Sequence, residues 1–258
     1  MSFGKPRRPV VLLAGMPRAG TAWYYSLLND LWLSAGATDA RMLRTRFHLE
    51  RFMSSGNALV SMKLPNLLFA LWPYFRGHFY VIKTHTSPAA YPRRKVSQWF
   101  LRKAIRSGWV LPLYIFRDPR DVILSAYEFG RRGTEEGRPN AFSRRVKSIE
   151  MGIDWMQEQL VNWKSWTTYP GVFVTRYEDL LADYDRQAVN TCHYLDLDHR
   201  SKPVEEIIEK YRPGAKPQAG THFYKGVAGR HRSQFNAKQN RLFLERYRNF
   251  ISQMGYPL

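Results

Sequence analysis

Four short apolar runs constrain this chain more than any other feature: Val10–Ala14 (VVLLA), Phe79–Ile82 (FYVI), Leu113–Phe116 (LYIF) and Val172–Thr175 (VFVT). Each is too uniformly apolar for a strand with one wet face, and each reads as a strand buried on both sides. Helical patterns follow them at Ala22–Leu33, Arg93–Ser107, Pro119–Arg132 and Glu178–Leu195. Asp118 is a good N-cap for the third of these, with Pro119 at the first helical position. Strands alternating with helices imply a mostly parallel sheet covered on both faces. The expected fold is therefore α/β: one domain over residues 1–258, with a mostly parallel central sheet flanked by helices. Gly36–Trp72 is less regular and is expected to hold helices lining a pocket. Ala141–Trp166 reads as one helix, and Asn236–Gln253 as a closing basic helix.

In an open α/β sheet, ligands bind just beyond the carboxyl ends of the strands. Here all four ends carry residues able to hold an anion or move a proton: Gly15-Met16-Pro17-Arg18-Ala19-Gly20-Thr21, then Lys83-Thr84-His85, Arg117-Asp118-Pro119-Arg120 and Arg176-Tyr177-Glu178-Asp179. The first is a P-loop-like phosphate-binding loop. Two glycines let the backbone curl, and the amides of the next turn face an anion at a helix N-terminus. A nucleoside-triphosphatase loop places lysine directly after its second glycine. Thr21 stands there instead, which fits poorly with ATP hydrolysis. An ordinary glycine turn is the plainer alternative.

Lys83 and His85 share a face if the strand geometry persists, and a histidine beside a cation tends to stay neutral and can act as a general base. Arg117 and Ser125 can bracket a further phosphate through the planar guanidinium fork. Equally, Arg117 can pair with Asp118 or Asp121 while Ser125 packs on the sheet.

The formal charge of +19 points to a polyanionic partner, whether nucleic acid, membrane surface or phosphorylated cofactor. Cys192 is the single cysteine, which excludes an internal disulfide and a cysteine-built metal site and fits a reducing compartment. Lys5, Arg7 and Arg8 ahead of Val10–Met16 have the outline of an export signal, but a buried first strand explains the run better. No stretch approaches the ~20 apolar residues of a membrane span.

Taken together, these motifs resemble the soluble PAPS-dependent sulfotransferases. Five segments run in family order: Pro17-Arg18-Ala19-Gly20-Thr21-Ala22-Trp23, Lys83-Thr84-His85, Arg117 through Ser125, Tyr177-Glu178-Asp179-Leu180, and Tyr224-Lys225-Gly226. The resemblance implies that Arg18, Ala19, Gly20, Thr21 and Ala22 hold the 5′-phosphosulfate of 3′-phosphoadenosine 5′-phosphosulfate (PAPS), that Trp23 stacks on adenine, and that Tyr177 belongs to the same nucleotide site. It implies that Arg117 and Ser125 bind the 3′-phosphate, with Lys225 and Gly226 closing over it. His85 would be the catalytic base, with Lys83 and Arg18 steadying charge in an in-line transfer that needs no metal. Three positions depart from the family: Arg18 replaces a lysine, Ala22 a hydroxyl residue and Tyr224 an arginine.

Two rival readings carry less. A P-loop small-molecule kinase lacks its loop lysine. A nucleic-acid-binding protein would use the basic, aromatic segment Arg41–Arg51, but a solvated basic face that steers an anionic cofactor accounts for it. The short chain without a membrane anchor suggests a cytoplasmic enzyme acting on a small-molecule hydroxyl or amine, of the secondary-metabolite kind, and no nucleic-acid partner.

Overall fold

The computed structural model describes residues 8–88, 95–214 and 226–258. Its strands are β1 (Val10–Gly15), β2 (Val81–Thr84), β3 (Val110–Phe116) and β4 (Phe173–Arg176). They form one sheet in the order β2-β1-β3-β4, every pair parallel. Helix α1 (Thr21–Ser34) follows β1, and α2 (Ala40–Arg46) and α3 (Leu64–Phe75) precede β2. Then come α4 (Lys95–Arg106), α5 (Pro119–Glu135), α6 (Ala141–Arg145), α7 (Ile149–Thr167), α8 (Tyr177–Ala182), α9 (Tyr184–Tyr194), α10 (Lys202–Lys210), α11 (His231–Gln234) and α12 (Ala237–Gln253).

The central strand shows why the apolar runs are continuous. Along β1, Val10, Leu12 and Ala14 enter one core cluster, while Val11 and Leu13 enter the other. Successive side chains point to opposite faces, and both faces are covered, so no position can be polar. On the first face pack α3, α4, α5, α7 and α12; on the second, α1, α9 and α10.

Several boundaries differ from the sequence expectation: β3 begins three residues earlier, at Val110, β4 is shifted one residue onward, and α5 runs on to Glu135. Three further differences have a local reason. β2 begins two residues later than the apolar run and extends through Lys83 and Thr84, because its ladder with β1 runs to the rim, pairing Leu13 with Lys83 and Ala14 with Thr84. The expected helix Ala141–Trp166 breaks at Val146–Ser148: Ser148 turns extended and its side chain accepts the Met151 amide, capping a new helix. The expected helix Glu178–Leu195 breaks at Asp183, whose φ of −142° and ψ of 62° end α8. Asp118 caps α5 as expected, accepting from the Arg120 amide ahead of Pro119.

Candidate functional site

The loop after β1 is curled by short bonds: the Ala19 amide donates to Met16 O at 3.1 Å and Thr21 Oγ1 to the same oxygen at 3.2 Å. Arg18 (φ 66°) and Gly20 (φ 82°) take the left-handed conformation that allows the curl. Gly20 is required twice over, since a Cβ there would lie 2.6 Å from the Tyr177 ring. Gly20 caps α1 without a side chain, so the amides of Thr21 and Ala22 in the first turn have no partner within the helix. They sit at the strand rim, as an anion site needs.

Arg18 reaches across to α5. Its Nε donates to Ser125 Oγ at 3.3 Å, and its guanidinium carbon lies 4.3 Å from the Phe129 ring centre. Burial, then Arg132 and Arg117, pull its pKa down to about 10, against a smaller opposing pull from Glu128. Arg117 is 6% exposed. One guanidinium nitrogen bonds Asp121 at 3.2 Å and Val227 O at 2.7 Å, and the group lies 4.6 Å from the Tyr177 ring centre. Its Nε is buried and has no hydrogen-bond partner among the described residues. Like charges gathered in a partly dry place, with an unused buried donor among them, are poised to receive an anion.

The pairing of Arg117 with Asp121 is thus present, as one of the two sequence readings had it, while Ser125 is joined to Arg18 and not to Arg117. Asp121 is itself a hub. It accepts the Gly229 amide at 2.6 Å, the His231 amide at 2.9 Å and His231 Nδ1 at 3.1 Å. Burial alone would raise its pKa, but the bond from His231, the charge of Arg117 and the two amides outweigh it and bring it to about 2. This carboxylate therefore anchors the returning segment Gly226–His231 beneath Arg117. Glu178 performs a similar task on the other side: it accepts from the Asp118 amide at 3.0 Å and from Tyr256 at 2.7 Å, locking the β4 turn to the start of α5.

His85 stands just past β2. Its Nδ1 is 2.8 Å from Gly15 O. A carbonyl only accepts, so the proton belongs on Nδ1 and Nε2 keeps its lone pair. The residue is exposed, yet neighbouring protein crowds the ring closely enough to desolvate it. Desolvation lowers its pKa below the ordinary 6.5; the Gly15 carbonyl opposes this, and the charges of Lys83 and Arg18 add to it. Lys83 lies with its ammonium 4.8 Å from the Tyr25 ring centre, its pKa lowered by burial and by Arg41 of α2. Part of the basic Arg41–Arg51 segment therefore acts on this site.

Other expected residues take quieter places. Ala19 is fully buried, and Ala22 is half-buried in the first turn of α1. Trp23 is 5% exposed: its Nε1 donates to Tyr211 O at 3.0 Å, its face stacks on Tyr184, and it meets Tyr177 edge-on with centroids 6.1 Å apart. The ring is a core plate in this arrangement. Lys225, with Tyr224, lies outside the described residues; Gly226 follows at φ 60°. Sequence reasoning missed His231 and the hub role of Asp121. Only the four-residue spacing from Arg117 to Asp121 offered a signal.

Comparison with known proteins identifies the family and the fold. The model of the sulfotransferase domain matches residues 8–255. The chain is 24% identical over 227 residues to a 3-alpha-hydroxysteroid sulfotransferase of Cavia porcellus, covering 80% of this chain and 77% of that one. It is 23% identical over 257 residues to cytosolic sulfotransferase 1 of Danio rerio, covering 92% and 81%. Among solved structures, a mouse sulfotransferase complexed with PAP superimposes with a TM-score of 0.60 at 15% identity, over 96% of this chain and 85% of that one. A phosphate-type loop, a neutral histidine bonded to it and a family model spanning nearly every described element have one reading: the chain belongs to the sulfotransferase domain family and is a sulfotransferase.

Proposed function

We propose that this enzyme transfers the sulfuryl group of PAPS to a hydroxyl or amine of a small apolar acceptor, with His85 as general base. The observation that carries the reading is the bond from His85 Nδ1 to Gly15 O. It ties the base to the residue that opens the anion loop and leaves Nε2 as the nitrogen able to accept a proton. Bound PAPS supplies an activated sulfuryl group with a phosphate as its leaving group. The amides of Thr21 and Ala22 and the guanidinium of Arg18 face the charge that develops during transfer, where fixed donors lower the barrier most. Lys83 holds a second cation beside His85. Arg117 takes the 3′-phosphate through its unpaired Nε, with Ser125 close by on α5; a role for Lys225 and Gly226 at the same phosphate rests on the family resemblance alone. Tyr177 frames the adenine side, with Trp23 packed edge-on against it from the core.

The guinea-pig relative is named for a hydroxysteroid, which supports an apolar alcohol as acceptor. A secondary metabolite and a cytoplasmic setting are the natural context, and the second relative is named a cytosolic enzyme. Among the described residues, no group of three or more His, Cys, Asp or Glu is placed to hold a metal ion; the anion is met by cations and amides.

Two measurements test the donor site. Adenosine 3′,5′-bisphosphate (PAP) should bind with equal affinity in the presence of Mg²⁺ and of chelator by calorimetry; a strict metal requirement would favour a phosphoryl-transfer enzyme. Arg117→Ala should weaken this nucleotide by about 1.5–3 kcal/mol, the value of a charge-assisted bond from a buried site. Asp121 keeps its bonds from Gly229 and His231 in that variant, so the segment under Arg117 stays anchored. Equal losses for 5′-AMP, which has no 3′-phosphate, would remove Arg117 from that role.

A further inference from the structure

Helix α3 departs from the rule for surface helices. Its inner side, with Leu67, Ala70, Leu71 and Tyr74, is buried in the core, so its outer side should be polar. Instead the outer stripe is Pro65, Leu68, Phe69, Trp72 and Phe75. Its four larger side chains are 44%, 48%, 52% and 43% exposed. The helix contains no charged residue. The rings are held in place: Phe69 stacks on Phe52 at 4.3 Å, and Phe75 meets Trp109 edge-on at 5.1 Å. Helix α4 packs against α3 and buries Leu101 and Ala104 in the same core, so the outer sides of the two helices adjoin. On α4, Val96 and Trp99 turn outward, 60% and 59% exposed.

Charge identifies what this face meets. From Arg51 to Arg117 the sequence has no Asp or Glu and 11 Lys or Arg. Lys63 and Arg76 are exposed at the two ends of α3, and Lys95, Arg102, Lys103 and Arg106 are exposed along α4. An apolar, aromatic stripe flanked by exposed cations along both helices matches an interfacial helix: rings at headgroup depth, and basic side chains on anionic headgroups. A polynucleotide would use the cations and leave Leu68 and Val96 unexplained. At 12 residues, α3 is about 18 Å long, well short of the ~30 Å hydrocarbon core. No described helix is long and apolar enough to cross a membrane. We infer that the α3–α4 face seats this protein on an anionic lipid surface, with the helices lying in its plane. Leu68, Phe69, Trp72 and Trp99 enter the headgroup region while the surrounding lysines and arginines meet lipid phosphates.

Vesicle flotation tests this without nucleotide or acceptor, so its failure leaves the sulfuryl-transfer reading untouched. The full chain should partition onto phosphatidylcholine vesicles containing phosphatidylglycerol at least about tenfold better than onto phosphatidylcholine alone, and the gain should fall as salt rises. Trp72→Ser with Trp99→Ser should lower that partition about tenfold or more with Tm unchanged, since both side chains are exposed. Lys63→Glu, Arg76→Glu and Lys103→Glu together should do the same, and they decide the matter if the tryptophan variant melts early. Equal binding to neutral vesicles overturns the inference. So does wild-type partition by the charge-reversed protein, or binding to oligonucleotides in the absence of any binding to vesicles.

Discussion

Replacing His85 with alanine should slow single-turnover sulfuryl transfer to an alcohol about 10²–10⁴-fold, the usual contribution of a positioned base. Affinity for PAP should stay close to that of the wild type. The geometry explains the split. His85 spends Nδ1 on Gly15 O and has only Nε2 left for an incoming hydroxyl, so its loss removes a proton acceptor and no nucleotide contact. An acidic phenol, which gives up its proton easily, should lose much less than an alcohol. A variant that still transfers to an alcohol at the wild-type rate would remove His85 from the mechanism. A variant that no longer binds PAP would make it a structural residue.

The same histidine sets an expected pH profile. Its pKa lies below 6.5 in the free protein, first through desolvation and then through Lys83 and Arg18. A base works when deprotonated, so the acid limb of kcat/KM should fall below pH 6.5 and the rate should stay flat above it until another group titrates. Linkage gives the matching sign for stability. A group whose folded pKa is depressed favours the deprotonated fold, so protonating His85 at low pH costs stability. His85→Asn should flatten both dependences. An acid limb above 6.5 in the wild type would mean that a different group is the base.

The legible and illegible parts of this molecule divide along a physical line. The four strands could be read because both faces of the sheet are buried, which forces unbroken apolar runs. Their charged ends then stood out against that background, and Arg18, His85, Arg117 and Tyr177 do meet at one rim. The end of β2 was hidden because Lys83 and Thr84 join the ladder through their backbone, which a side-chain pattern does not register. The breaks at Ser148 and Asp183 depend on single caps and torsions inside otherwise helical stretches. Asp121 and His231 are 110 positions apart, and no local pattern announces a partner at that distance. Trp23 shows the converse. As a residue type it fits an adenine plate, but only packing reveals Tyr184 against its face.

Arg18 should show the second large effect, and it should appear with opposite signs in activity and stability. The side chain projects from a left-handed backbone position, is largely enclosed, and lies near two further guanidinium groups. Its pKa of about 10 still leaves it charged at neutral pH, so the free enzyme holds a cation where desolvation and like charge oppose one. That cost is about 1–2 kcal/mol once solvent screening is allowed for. Arg18→Met keeps a long unbranched side chain over Phe129 and removes the charge. The free variant should therefore melt at the same temperature as the wild type or higher, while sulfuryl transfer falls about 10²–10³-fold, the range for a lost charge-stabilising donor. PAP should raise the melting temperature of the wild type more than that of the variant, because only the wild type relieves the repulsion among Arg18, Arg132 and Arg117 by binding an anion. Arg18→Lys restores the point charge without the bond to Ser125 and should recover most of the activity. If Arg18→Met melts well below the wild type, or gains as much from PAP, the charge cluster is structural and the loop binds its anion through backbone amides alone.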